Sequence, residues 1–155
     1  MDLANKMVST MRKHNGVGLA APQIGVNLRL IVIETPLDSC NNNSDTNWEE
    51  TQLLKLINPS IIEANSFEEM REGCLSLPGF ITNVERANAV TARATDMSGT
   101  QIQIPATGLL AQALQHEIDH LDGILIQDRI DGIVNMTKLD PPWLTNKTSE
   151  TPERR

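Results

Sequence analysis

Two histidines four residues apart, with a glutamate directly after the first, constrain this chain more than any other feature. On an α-helix, His116 and His120 lie one turn apart on the same face. Two imidazoles so placed can bind one divalent metal ion, and Glu117 beside the first can act as general base toward a water activated by that ion. The segment therefore predicts a metal-binding helix and indicates hydrolysis, without indicating which bond is cut.

The composition permits one domain with a core and disfavours several classes of partner. The chain has 155 residues, of which 39% are hydrophobic and only 3% aromatic, so aliphatic side chains and methionine must form the core. Its net charge of -7 argues against binding to nucleic acid or to anionic membranes. No stretch is long enough to span a bilayer and no signal peptide follows Met1, so we expect a cytoplasmic protein.

The chain contains two cysteines, Cys40 and Cys74. Cys40 lies in a polar segment rich in asparagine and serine, which is typical of a loop. Because the sequence carries no secretory signal, we expect both thiols to be reduced rather than joined in a disulfide.

Hydrophobic periodicity predicts an α+β fold in which short β-sheets pack around a central helix that carries the two histidines. The predicted elements are a helix over residues 3–14, strands over 28–33, 53–57, 60–63, 80–84, 90–95 and 100–104, a helix over 108–122 that Gly123 ends, and a strand over 124–130. A turn at Met97–Gly99 is expected to join the strands over 90–95 and 100–104 into a hairpin. We expect residues 1–140 to form a single catalytic metal-hydrolase domain. Residues 141–155, rich in proline, threonine and charge, are expected to form a loosely ordered tail.

The third metal ligand decides among the classes of hydrolase that use two such histidines. Catalytic zinc-type sites need three protein ligands and one open position. The metzincin pattern requires a histidine where Ile126 stands, and the thermolysin pattern requires a downstream glutamate, of which there is none between His120 and Asp140. Cys74 remains as a candidate, because a thiolate binds divalent metals strongly. A buried structural cysteine is the alternative interpretation.

A third segment, Gly16–Gly25, consists mostly of small residues that permit close approach of the backbone. Its spacing does not match a dinucleotide-binding fingerprint, and no Lys-Ser/Thr pair follows that would make it a phosphate-binding Walker loop. Taken alone, such a segment is more often a packing turn.

The three segments together resemble the peptide deformylase family, whose motifs are G-x-G-x-A-A-x-Q, E-G-C-x-S and H-E-x-x-H. They lie at Gly16–Gln23, Glu72–Ser76 and His116–His120, in the family's order and with similar separations. The resemblance implies a metal-dependent hydrolase that removes the N-formyl group from the formyl-methionine of newly made polypeptides and releases formate. The alternatives are a metallopeptidase with the same helix and a non-catalytic metal-stabilised binding protein.

The resemblance also implies roles for individual residues. Cys74, His116 and His120 would hold one divalent metal, often Fe2+ in this family, with Zn2+, Ni2+ or Co2+ also able to bind. Glu117 would move the proton, and the Gln23 side chain and the Leu75 backbone N–H would stabilise the oxyanion. The substrate-binding residues would be Val17, Gly18, Glu72, Gly73, Arg86, Leu109 and Ala113.

Four polar or charged residues near these motifs either have two interpretations or depart from the family pattern. Arg86 matches a family arginine near the path of the peptide, but a solvated charge at a strand end explains it equally well. Gln112 is polar where the family commonly has an aliphatic residue in the methionine slot. Asp119 and Asp122 are expected close behind the ligands or at the surface.

Partners also follow from the resemblance. The substrate would be a nascent N-formyl-methionyl chain, and we expect a monomer without direct nucleic-acid or membrane binding. The chain begins almost at its first predicted helix, and its C-terminal part lacks the periodicity of the basic helix that many members use on the ribosome. We therefore expect a short form of the family, in which contact with the ribosome stays possible but the docking helix is not evident.

Overall fold

The computed structural model describes residues 3–37, 48–130 and 135–139. The elements in these ranges are α1 Leu3–Lys13, β1 Gly18–Ala20, β2 Leu30–Pro36, β3 Thr51–Cys74, β4 Leu77–Thr95, β5 Gln101–Thr107, α2 Gly108–Leu121 and β6 Thr137–Lys138, with 3-10 helices over Ala21–Ile24 and Ile126–Arg129. Cys40 and the segment from residue 141 lie outside the described residues. The expected reduced state of Cys40, the domain limits and the loosely ordered tail therefore stay predictions.

In the described part of the chain, the strands form one six-stranded antiparallel sheet. Its order is β1-β2-β3-β4-β5, and β6 pairs with β4 beside the start of that strand. The hairpin predicted from the runs at 90–95 and 100–104 is confirmed as β4–β5, with Thr95 opposite Gln101. The sheet therefore follows the chain in sequence order, with each strand beside its successor from β1 to β5.

Two strands are much longer than the sequence pattern predicts. β3 runs through the expected break at Asn58 and Pro59, and β4 joins the predicted runs 80–84 and 90–95. Asn58 has a φ of 50° and the strand pairing shifts register there. Pro59, which has no N–H to donate, therefore lies at a bulge instead of ending the strand. The long β3–β4 ribbon carries the chain from the core to Cys74.

The two helices pack on opposite faces of β2. Ile31 and Ile33 belong to the core formed with α2, whereas Leu30 and Val32 belong to the core formed with α1. This division follows from the alternation of side chains along a strand. The apolar side of α2 consists of Leu110, Ala111, Ala113, Leu114 and Ile118. The predicted α+β class with a central histidine-bearing helix is confirmed, and no helix among the described residues is long and apolar enough to cross a membrane.

The strand predicted over 124–130 is wrong, because Ile126–Arg129 form a 3-10 helix. Gly123 has a φ of 76° and turns the chain away from the axis of α2. The Leu125 N–H then donates to Asp128 Oδ2 at 2.8 Å. Local hydrogen bonding of this kind competes with strand pairing and here outweighs the apolar run.

Candidate active site

The three predicted metal ligands come together from two distant elements. Cys74 is the last residue of β3, and His116 and His120 lie one turn apart on α2. Their ligand atoms, one sulfur and two imidazole nitrogens, all lie within 4.8 Å of one another. Cys74 Sγ is 3.2 Å from His120 Nε2, and the two imidazole rings meet edge to face with centroids 4.8 Å apart.

This donor set fits a divalent transition metal. A thiolate with two imidazoles supplies the three protein ligands of a catalytic site and leaves a fourth position for water or substrate. His116 Nδ1 lies 3.0 Å from Glu72 Oε2, which orients the ring and leaves Nε2 as the atom available for a metal.

Burial and hydrogen bonding shift the pKa values of two of the ligands in opposite directions, and both shifts favour the charged form. Burial raises the pKa of the Cys74 thiol, but hydrogen bonds with His116 and His120 outweigh it and lower that pKa to about 5. Burial lowers the pKa of His116, but hydrogen bonds with Cys74 and Glu72 outweigh it and raise that pKa to about 10. Cys74 therefore ionises readily, and the thiolate is the form that binds metal.

Glu117 lies beside the ligands but is shielded from solvent. The residue is 4% exposed, and its buried Oε2 has no hydrogen-bond partner among the described residues. Burial raises its pKa to about 7 against the opposing charges of His116 and His120. A carboxyl group with a pKa near neutrality can both accept a proton and return it.

The Gln23 amide is held in one orientation at the edge of the ligand cluster. The Ala20 N–H donates to Gln23 Oε1 at 2.8 Å, so the amide nitrogen is directed the other way. That nitrogen donates to Ser76 Oγ at 3.0 Å and lies 3.7 Å from Cys74 Sγ. Leu75 follows Cys74 in the turn between β3 and β4. The Gln23 amide, from a segment far away in the sequence, thus contacts the two residues that flank Leu75.

A cleft of about 530 Å³ opens over these groups. Six of the seven predicted substrate-binding residues line it, namely Val17, Gly18, Glu72, Gly73, Leu109 and Ala113. The cleft is also lined by residues for which the sequence predicted no role in binding, among them His14, Leu77, Pro78, Phe80 and Leu139. They share no sequence pattern, because they come from the residue after α1, the start of β4 and the residue after β6, which only the fold brings together.

Arg86 has neither of the positions expected for it. It is 3% exposed and does not line the cleft, so neither a substrate contact nor a solvated strand-end charge describes it. Its Nε and Nη2 donate to the two carboxylate oxygens of Glu72 at 2.8 and 3.1 Å, and its Nη1 donates to Asp119 Oδ2 at 2.6 Å. Asp119 is buried and also accepts hydrogen bonds from Arg129, whereas Asp122 forms an exposed ion pair with Arg29.

Sequence reasoning missed Arg129 altogether. Its pairing with Asp119 depends on the reversal of the chain after α2, in a segment predicted as a strand. The only available signal was Gly123, which indicated the end of the helix but not the direction of the following chain.

Known proteins match both the sequence and the fold of this chain. The family model described as polypeptide deformylase matches residues 1–136. The chain belongs to the polypeptide deformylase family. A peptide deformylase of Thermodesulfovibrio yellowstonii is 49% identical to it over 128 residues, which cover 83% of this chain and 72% of that protein.

Solved deformylase structures share its fold. The peptide deformylase of Thermus thermophilus superposes with a TM-score of 0.71 at 38% identity, over 83% of this chain and 70% of that one. A class I type b peptide deformylase of Acinetobacter baumannii, bound to Met-Ala-Ser, superposes with a TM-score of 0.69 at 35% identity, over 80% of this chain and 76% of that one.

Family membership confirms the function that the three motifs predicted. The deformylase is a metal-dependent hydrolase that removes the N-formyl group from N-terminal formyl-methionine. The metallopeptidase alternative, which shares only the helix with two histidines, is not supported by any of these relatives.

Proposed function

We propose that Cys74, His116 and His120 hold one divalent metal ion in this deformylase and that Glu117 transfers the proton of the reaction. One observation carries this proposal. A buried carboxylate, with an oxygen that has no partner among the described residues, lies beside one thiol and two imidazoles whose ligand atoms are within 4.8 Å of one another. That arrangement combines a three-ligand site with a general base.

We propose Fe2+ as the native ion, as the family resemblance implies, with Zn2+, Ni2+ and Co2+ able to replace it because thiolate and imidazole accept several divalent metals. When bound, the metal supplies the Lewis acidity that activates water for attack on the formyl carbon. Glu117 accepts the proton of the attacking water and returns it to the amine nitrogen as the C–N bond breaks. Formate and a free amino terminus are the products.

Gln23 and Leu75 are proposed to stabilise the carbonyl oxygen while negative charge develops on it. Donors that are already oriented need no rearrangement during the reaction, and this is the source of their effect. The hydrogen bond from the Ala20 N–H to Gln23 Oε1 supports the assignment, because it commits the amide nitrogen of Gln23 to the side of Cys74. The backbone N–H of Leu75 is the second donor.

The substrate is proposed to enter as an extended peptide with its methionine in an apolar slot. Val17, Leu109 and Ala113 line the cleft and supply the apolar surface. Gln112 also lines the cleft, and its side-chain amide donates to the Arg71 carbonyl at 2.9 Å, so this polar group is already hydrogen-bonded within the protein. The relative bound to Met-Ala-Ser supports a methionyl peptide as the ligand of this cleft.

Backbone pairing is proposed to hold the rest of the peptide. β3 pairs with β2 only up to Ile57, and its Gly73 end pairs with β4 alone among the described strands. The other edge of β3 near Gly73 can therefore pair with an extended peptide, and Gly18 on β1 offers a second strand. Both glycines line the cleft.

We propose a cytoplasmic, monomeric enzyme that acts on nascent chains, with no docking to nucleic acid or membrane. The net charge of -7 supports this proposal, because it disfavours contact with polyanionic surfaces.

A formate-release assay tests the proposed roles. The iron-loaded protein, kept anaerobic because a ferrous thiolate site oxidises readily, is given formyl-Met-Ala-Ser, with unformylated Met-Ala-Ser as the control. We expect formate from the first peptide and no cleavage of the second. Glu117→Ala is expected to retain its metal and to lose about 10²–10⁴-fold in kcat. Full activity of that variant would contradict the role given to Glu117.

A further inference from the structure

A chain of four charged side chains leads from the imidazole of His116 to the protein surface. His116 Nδ1 contacts Glu72 Oε2 at 3.0 Å, and Arg86 binds both oxygens of Glu72. Arg86 also donates to Asp119 at 2.6 Å, and Asp119 accepts from Nε of Arg129 at 3.0 Å and from its Nη2. Every link is an ion pair or a charge-assisted hydrogen bond, which is stronger than a neutral one.

The inner members of this chain are buried and the last is not. The side chains of Glu72 and Arg86 are 3% and 4% exposed and that of Asp119 is 10% exposed, whereas Arg129 is 41% exposed. Charges at such depth are stable only when they are paired, and removal of one partner leaves the other uncompensated. The negative charges of two carboxylates are balanced by the positive charges of two guanidinium groups. Arg129 is the member of the network that reaches solvent.

Arg86 is shared between two carboxylates, and this sharing gives Arg129 its importance. All three nitrogens of the guanidinium are used, two by Glu72 and one by Asp119. Without Arg129, Asp119 would have Arg86 as its sole ion-pair partner within the network. The buried carboxylate of Asp119 would then compete with Glu72 for Arg86, because a single guanidinium cannot neutralise both.

We propose that Arg129 is a positioning residue for the metal centre. By neutralising Asp119 it leaves Arg86 to hold Glu72, and Glu72 in turn holds the His116 imidazole with Nε2 toward the metal. Partners that orient a ligating histidine affect metal affinity even though they do not touch the metal. The inference rests on the proposed function, since it takes His116 as a ligand.

Arg129 lies beyond the end of α2, and a turn of the chain brings it into contact with Asp119 on that helix. Gly123, with a φ of 76°, reverses the chain, and the Ile124 N–H donates back to the Asp119 carbonyl at 2.8 Å. The bond from Leu125 N–H to Asp128 then forms the short 3-10 helix that ends at Arg129. The backbone around Asp119 and its ion-pair partner therefore belong to one compact turn.

Cobalt-loaded protein gives a readout that does not depend on turnover. We expect Arg129→Ala to release Co2+ to a chelator about tenfold faster than the wild type and to change the visible absorption of the cobalt–thiolate site. Arg129→Lys, which keeps the charge but not the two-pronged geometry, is expected to release cobalt at an intermediate rate. A merely structural role would lower the melting temperature without changing the cobalt spectrum.

Arg29 supplies a matched control. Its side chain is also 41% exposed, and it pairs at 2.6 Å with Asp122, just past the end of α2. That ion pair is on the surface and does not lead to a metal ligand. Arg29→Ala is therefore expected to lower the melting temperature slightly and to leave cobalt release and the cobalt spectrum unchanged.

The possible outcomes separate this inference from the function on which it rests. Wild-type rates of cobalt release in Arg129→Ala, together with an inactive Glu117→Ala, would overturn the role of Arg129 and leave the proposed function standing. Cobalt binding that does not depend on Cys74 would instead contradict the proposed metal site. If Arg129→Ala does not fold, Arg129→Lys and Arg29→Lys are compared, and equal release from both would overturn the inference.

Discussion

At position 18 the absence of a side chain leaves space for the carboxylate of Glu117, the proposed general base. A Cβ on Gly18 would lie 2.4 Å from Glu117 Oε1 and 2.7 Å from its Cγ. A Cβ on Gly16 would likewise lie 2.5 Å from Leu75 Cδ1. The small residues of this segment were visible in the sequence, but the side chains that they accommodate lie far away in the chain.

Gly18→Ala is expected to lower kcat by about 10²-fold, because the added methyl group displaces Glu117 from its buried position. The melting temperature should also fall, because the added methyl group overpacks a buried position, whereas the bound metal should change little. Kinetics of formate release measure the loss. In the Glu117→Ala background the same change should have no further effect on kcat, since the displaced group is already absent. An additional fall in the double variant would show that Gly18 acts by another route.

At the scale of elements, local polar bonding specifies the turns between strands. Asp96 Oδ1 accepts hydrogen bonds from the backbone N–H groups of Ser98 and Thr100 at 2.8 and 2.9 Å. It also accepts one from the Ser98 hydroxyl, and Gly99 follows with a φ of 88°. The sequence predicted this turn because each of these interactions lies within five consecutive residues.

Asp96→Ala is expected to lower the melting temperature at neutral pH. The Ser98 hydroxyl, and then the backbone N–H of Thr100, hold the pKa of Asp96 below its ordinary value of 3.8. A lowered folded-state pKa means that the stabilisation is present above pH 3.8 and disappears as the pH falls through the lowered pKa. Thermal melts at several pH values should show the two proteins converging in acid. Asp96→Asn, which does not titrate, should show no such convergence with Asp96→Ala.

The last described strand brings an apolar side chain to the cleft. β6 pairs with Phe80 and Ile81, and the Leu139 N–H donates to the Gly79 carbonyl at 2.7 Å. Leu139 is 44% exposed and lines the cleft beside Phe80. This short strand thus extends the wall of the cleft that the ends of β3 and β4 form.

Leu139→Ser is expected to raise KM about fivefold for formyl-Met peptides with apolar residues after methionine, since partial burial of a leucine contributes about 1 kcal/mol. The value of kcat should not change, because the leucine side chain neither donates nor accepts a proton. Steady-state kinetics with a short and a long apolar peptide measure the effect. Lys138→Ser is the control, because Lys138 does not line the cleft. Equal KM values for both variants would argue against a substrate contact by Leu139.

At the scale of the whole molecule, the proposed metal site lies between the end of the β3–β4 ribbon and the central helix. Cys74 lies at the end of β3 and the two histidines lie on α2. One bound ion would therefore cross-link this strand to the helix. A ligand that binds only the folded protein stabilises it in proportion to the logarithm of its concentration.

Removal of the metal is therefore expected to destabilise the fold. At a free metal concentration of about 100 times Kd, the free energy of unfolding should exceed that of the chelated protein by about 2.7 kcal/mol. Thermal or denaturant unfolding with and without zinc measures the difference. Cys74→Ala should lose most of this dependence, and an undiminished effect of zinc on that variant would place the stabilising ion elsewhere.

Local patterns predicted much of this molecule. Both helices, the β4–β5 hairpin and the three motifs follow from residues near one another in sequence, and the structure has them close to the expected positions. The segment 124–130 was predicted wrongly, because an apolar run does not reveal that Asp128 bonds to Leu125. The length of β3 was missed because a proline at a bulge has the same sequence signature as a proline at a strand end.

The sequence by itself determined the class of chemistry. A helical spacing puts His116 and His120 on one face wherever that helix lies, and resemblance of three motifs identified the family. Only the tertiary structure decided how the remaining groups meet. Arg86 is a buried partner of Glu72 and Asp119, and Arg129 completes the network, because burial makes unpaired charges costly and the pairing therefore depends on the whole fold. A charged residue looks the same in sequence whether it faces water or another charge, so its partner becomes known only when the chain has folded.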